Sequence, residues 1–167
     1  MRIPVFVSVP STLSPTQAAA HRLVESLLTA NGLEPRTLGR SDYALTFPLR
    51  EVYAIARHCS GGVILGFEQL RISKGIRRPG TADETTVADV PIPTPWNHLE
   101  AGILFGLGLP LLIFREPGVS GGIFDPGTSG SFIHPMPSPE SSPQDVNLLI
   151  QQWRSAVHEH YYRDTRG

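Results

Sequence analysis

Short apolar runs alternate with stretches of helical periodicity along most of this chain. Ile3-Pro-Val-Phe-Val-Ser-Val9 is apolar on both faces, as expected of a strand buried in a parallel sheet. Pro10 ends it. Ser14 followed by Pro15 has N-cap and N1 chemistry. Ala20, Leu23, Val24, Leu27 and Leu28 then recur at helical spacing until Asn31-Gly32 stops the helix. Residues 33–38 read as a second strand. Pro48 opens a second helix with Leu49, Val52, Tyr53 and Ala56 on one face, broken by Ser60-Gly61-Gly62. Residues 63–67 make a third strand, the apolar run 109–114 a fourth and residues 131–135 a short fifth. A third helix begins at Thr94-Pro95 and ends near Gly108. A last one spans about 144–162, with Val146, Leu149, Ile150, Trp153 and Val157 turned inward.

Strands that alternate with helices specify an α/β fold: a flavodoxin-like open parallel sheet of four or five strands, helices on both faces, in one domain over residues 1–167. Residues 68–93 interrupt the alternation. They read as a long insert or lid, with Lys74, Arg77 and Arg78 ahead of Asp83, Glu84 and Asp89. Ligands of such sheets bind beyond the C-terminal strand ends, which draws attention to residues 10–15, to the segment from Phe67 onward, and to the loop after Arg115.

Composition narrows the classes. The net charge is −1 and no run carries one sign, so neither a nucleic-acid binder nor a membrane-surface binder is expected. No apolar run reaches the roughly 20 residues of a membrane span. The N-terminal run is too short for a secretory h-region. The single cysteine, Cys59, rules out a disulfide within the chain and suits a reducing, cytoplasmic setting. It reads as a small buried residue, because its neighbour His58 points elsewhere on a helix. His158 and His160 look exposed and lack the spacing of a metal site, so no metal is expected. Gly102 and Gly106, four apart on the third helix, suggest close packing on the sheet. Gly118-Val-Ser-Gly-Gly122 reads as a flexible loop and lacks the pattern of a phosphate-binding loop.

The candidate chemistry lies in Thr94-Pro-Trp-Asn-His-Leu-Glu-Ala-Gly102. Trp96 and Glu100 are four apart and share a helical face. A carboxylate beside an aromatic suits chemistry at a sugar C1′, where a cationic, oxocarbenium-like centre needs stabilisation or covalent capture. Trp96 would stack on a base and Asn97 would orient a ribose hydroxyl. Ser8, Pro10 and Ser11 end the first strand. Phe67 would line the pocket, and Glu68 would hold a ribose hydroxyl or serve as a second carboxylate. In the loop after the second strand, Asp42 could bind a ribose hydroxyl and Arg40 a phosphate. The competing readings are structural: a solvated helix-face glutamate, a hydrophobic staple at Trp96, a capped strand end at Glu68, and an Asx turn around Asp42.

Val-Phe-Val-Ser at the first strand, with Trp-x-x-x-Glu leading into Leu-Pro-Leu-Leu-Ile-Phe, resembles a TIR domain over roughly residues 3–115. The same segment is similar to nucleoside 2-deoxyribosyltransferases. In both families the glutamate matching Glu100 acts at the ribose. The resemblance implies an NAD glycohydrolase or cyclase of a bacterial antiviral defence protein, with NAD as substrate and no tightly bound cofactor. It also implies a homo-oligomer and a partner effector protein. The alternatives are a nucleoside deoxyribosyltransferase-like enzyme and a non-catalytic nucleotide-sensing or scaffold module. A flavin carrier fits less well, since Ser11-Thr-Leu-Ser14 only partly matches a flavin phosphate loop. A typical TIR domain has tyrosine after the serine; here Val9-Pro10 follows Ser8, which is closer to the transferase pattern.

Overall fold

The computed structural model describes residues 2–38 and 47–164. In chain order these form β1 (Ile3–Ser8), α1 (Pro15–Ala30), β2 (Leu33–Arg36), α2 (Pro48–Ala56), β3 (Gly62–Gly66), β4 (Glu68–Arg77), β5 (Thr85–Pro93), α3 (Pro95–Gly106), β6 (Leu111–Arg115), β7 (Ile133–Pro135) and α4 (Pro143–Asp164). Five strands make one parallel sheet in the order β2-β1-β3-β6-β7. The expected flavodoxin-like open sheet is therefore present.

Period-two alternation divides the core between the two faces of the sheet. Val5, Val7, Val63, Leu65, Leu112 and Phe114 point to one side, onto Val24 and Leu28 of α1 and Ile150, Trp153 and Val157 of α4. Phe6, Ile64, Leu111 and Ile113 point to the other, onto Val52 and Ala56 of α2 and Ala101 and Leu104 of α3. The central strands bury both faces, which is why they read as continuous apolar runs. At the start of α1 the Ser14 side chain accepts from the Gln17 N–H while the Gln17 side chain accepts from the Ser14 N–H. This capping box satisfies two donors that the first helical turn leaves open.

Several expectations are corrected. Residues 68–93, expected as an irregular stretch, form an antiparallel hairpin, β4 paired with β5. Its turn carries Arg78 and Gly80 at positive φ, and it packs chiefly on itself. On α2 the buried face is Val52, Ile55 and Ala56, while Leu49 and Tyr53 are each 47% exposed. Two overlapping i, i+4 apolar pairs, Leu49–Tyr53 and Val52–Ala56, leave open in so short a helix which side faces inward, and here Val52–Ala56 is joined by Ile55. Gly102 and Gly106 face open space, whereas the sheet glycine Gly66 lies where a Cβ would overlap the Phe124 ring. The loop after β6 is packed: Val119, Ile123 and Phe124 are buried, and the Arg115 Nη1 donates to the carbonyls of Val119 (3.1 Å) and Phe124 (2.7 Å). His160 is buried rather than exposed, and Cys59 is buried. No helix among the described residues is long and apolar enough to cross a membrane.

Candidate functional site

The chain leaves β1 towards β2 on one side and later returns to β3 on the other. The C-terminal ends of β1 and β3 therefore flank the point where an open α/β sheet forms a crevice. β5 delivers the chain to this crevice and α3 starts there. Thr94 caps α3 by accepting from the Trp96 N–H at 3.3 Å, and Pro95 occupies the first turn, where an N–H would have no partner. Trp96, Asn97 and Glu100 thus lie within the first two turns, over the end of β1.

Three of these side chains form a linked set with β1. Asn97 is fully buried, and its Nδ2 donates to Ser8 Oγ at 2.8 Å. The Ser8 side chain is hydrogen-bonded in turn to the Glu100 carboxyl. Because the Ser8 oxygen accepts from Asn97, its one proton is directed to the carboxylate. Glu100 is 9% exposed. Burial raises its pKa from the ordinary 4.5 to about 7, and the Ser8 hydrogen bond pulls the other way. The Asn97 Oδ1 is buried and takes no hydrogen bond among the described residues.

Glu100 opens into a cleft of about 240 Å³ whose walls include Pro10, Ser11, Gln69, Thr94 and Trp96. Trp96 is 41% exposed, so its ring is available for stacking. A second cleft of about 500 Å³ adjoins it, and Gln69 lines both. The second cleft lies between the start of α1, the start of the hairpin and the loop after β6, and holds Gln17, Glu68, Arg71 and Glu116. Arg71 pairs with both oxygens of Glu68, at 2.6 and 2.5 Å, which holds the Glu68 carboxyl below its usual range.

The structure thus brings Ser8, Pro10, Ser11, Trp96 and Glu100 together, with Asn97 behind them. Asn97 does not line the cleft; it orients Ser8 and is too buried to take a ribose hydroxyl directly. Phe67 is fully buried in the core on the α1 and α4 side, because strand alternation turns it away from the crevice. Glu68 is in the second cleft with Arg71 and does not join Glu100. Arg40 and Asp42 lie outside the described residues. Of the other lining residues, Thr94 is expected from sequence only as the start of α3, and Gln69 and Glu116 are not expected at the site. Glu116 could have been, as a carboxylate one residue past the end of a buried strand. Among the described residues no group of three or more His, Cys, Asp or Glu side chains is placed to hold a metal ion.

Comparison of the chain with family models, with curated proteins and with solved structures finds no match.

Proposed function

We propose that this protein cleaves an N-glycosidic bond at the C1′ of a nucleotide or nucleoside, with Glu100 as the group that meets the developing cation. The observation that carries this reading is the placement of Glu100. It is a nearly buried carboxyl at the sheet crevice, held by the Ser8 hydroxyl, in the same cleft as an accessible tryptophan. A desolvated carboxylate interacts more strongly with an oxocarbenium-like C1′ than one in water would. Trp96 would hold the base while the C1′–N bond breaks.

In the covalent form of this step a Glu100 oxygen bonds to C1′ as the C1′–N pair leaves with the base. Water then attacks C1′, releases a proton to solvent as the C1′ hydroxyl forms, and returns Glu100 as a carboxylate. A pyridinium base such as nicotinamide leaves neutral and needs no proton. A purine or pyrimidine must pick one up as it leaves. The resemblance to TIR domains makes NAD the first substrate to try and antiviral signalling the setting to test.

The nucleoside reading has its own support in the lining. Neither described wall of the Glu100 cleft supplies a cation, and Arg71 in the second cleft is already paired with Glu68. Among the described residues that line the two clefts, a pyrophosphate would meet one cation, Arg71, which is already paired with Glu68.

The test is incubation of wild type and Glu100→Gln with NAD and, separately, with a deoxynucleoside, followed by chromatography of the products. Nicotinamide release by wild type alone supports the glycohydrolase. Release of base from the deoxynucleoside alone supports the transferase-like enzyme. Equal release by wild type and variant removes Glu100 from the chemistry. No release from either substrate favours a nucleotide-sensing or scaffold module.

A further inference from the structure

The second cleft is larger than the one that holds Glu100 and opens beside it. A nucleoside placed with its base on Trp96 and C1′ at Glu100 has one end left over, its 5′ carbon. Gln69 is the residue the two clefts share and stands between them, its Nε2 donating to the carbonyls of Thr12 (3.3 Å) and Glu68 (3.1 Å), so the 5′ end would reach the second cleft across this side chain.

What waits there is a carboxylate held in a fixed orientation. Glu116 Oε2 accepts from Gln17 Nε2 at 3.0 Å and from the Glu68 main-chain N–H at 2.6 Å. Gln17 is itself nine-tenths buried. Its Nε2 also reaches the Glu68 carbonyl at 3.1 Å, and its Oε1 is used by Ser14, so its own hydrogen-bonding groups are occupied. The two bonds to one oxygen leave Glu116 Oε1 as an acceptor without a partner among the described residues. The one cation among the described residues that line this cleft, Arg71, is engaged by Glu68 through both oxygens. A ligand group entering here meets a negative charge and an open acceptor, which favours a hydrogen-bond donor and disfavours an anion.

We propose that the Glu116 cleft is the second half of the substrate site and that it selects the hydroxyl- or amine-bearing 5′ end of a nucleoside over a 5′-phosphate. This rests on the reading of Glu100 as the group at C1′, and it makes the preferred substrate an unphosphorylated nucleoside.

The experiment is calorimetric binding near neutral pH to Glu100→Gln, with three probes: adenosine, 5′-amino-5′-deoxyadenosine and adenosine 5′-monophosphate. The amine should bind about tenfold or more tighter than the monophosphate, with adenosine between them. Adding Glu116→Gln should bring all three within about threefold. Should that double variant fail to fold, salt titration of the single variant gives the same discrimination: added salt should weaken the amine and strengthen the monophosphate. Monophosphate binding as tight as or tighter than the amine overturns the proposal, as does an amine preference that survives both Glu116→Gln and salt. If that happens while the wild type still releases base, only the Glu116 subsite falls. If none of the three probes binds, the reading of the Glu100 cleft falls with it.

Discussion

At the scale of single residues, the buried carboxyl of Glu100 couples activity to stability. Its pKa is raised in the folded chain, from 4.5 to about 7, so the folded state holds the proton more tightly than the unfolded state. The stability this contributes is fully present below about pH 4.5 and is lost as pH rises through about 7. Above that pH the ionised, buried Glu100 costs about 3 kcal/mol relative to a neutral side chain, at about 1.4 kcal/mol per pKa unit. Glu100→Gln is therefore expected to lose glycosidic cleavage and yet unfold at higher denaturant than wild type at pH 8. The gap should close towards pH 4, as chemical denaturation at the two pH values would show. Because the ionised form is the one that meets the cation, kcat/KM of wild type should rise with pH through about 7 and level off above it. Ser8→Ala removes the hydrogen bond that lowers the Glu100 pKa. That variant should carry the rise to higher pH, in the activity profile or in a carbon-13 titration of the Glu100 carboxyl. A profile that does not move would mean that Ser8 does not act on Glu100.

At the scale of elements, what the sequence made legible followed from local rules. Ser14-Pro15 with Gln17 marks a helix start because those side chains satisfy open N–H groups. The buried parallel strands showed as apolar runs because both of their faces are covered. The hairpin was harder to see. Leu70, Ile72 and Ile76 alternate along β4 and Pro79-Gly80 marks the turn, but the interspersed charges and Pro91 and Pro93 gave the segment the look of a loop. The link between Asn97 and Ser8 was not legible at all, since the two are 89 positions apart and meet only through the packing of α3 over β1. The glycines separate by the same logic, because spacing places Gly102 on α3 without saying which way it faces. Gly102 faces open space on a helix, so Gly102→Ala should stabilise the chain by about 0.5–1 kcal/mol. Gly66 faces the Phe124 ring, so Gly66→Ala should destabilise it by about 1–3 kcal/mol. Thermal melts of the two variants would show shifts of opposite sign.

At the scale of the whole molecule, the two halves of the candidate site hang on different parts of one frame. Glu100, Ser8 and Asn97 are fixed by the parallel sheet and by α3, which packs on it through Ala101 and Leu104. Glu68, Gln69 and Arg71 belong to the base of the hairpin, which Glu116 and Gln17 tie to β6 and α1. Beyond that base the hairpin packs chiefly on itself, with Ile76 at 60% exposure and a charged, exposed turn. An isolated two-stranded hairpin contributes little to the stability of a body it does not cover. Replacing residues 74–88 by a two-residue Asn-Gly turn is therefore expected to shift the melting temperature by less than about 3 °C. Ligand binding at the Glu100 cleft should stay within about twofold of wild type, because the Glu116 anchor remains. A fall in melting temperature of about 8 °C or more would show that the outer hairpin is part of the cooperative fold. A loss of binding with the fold intact would show instead that the outer hairpin, and not its anchored base alone, shapes the site.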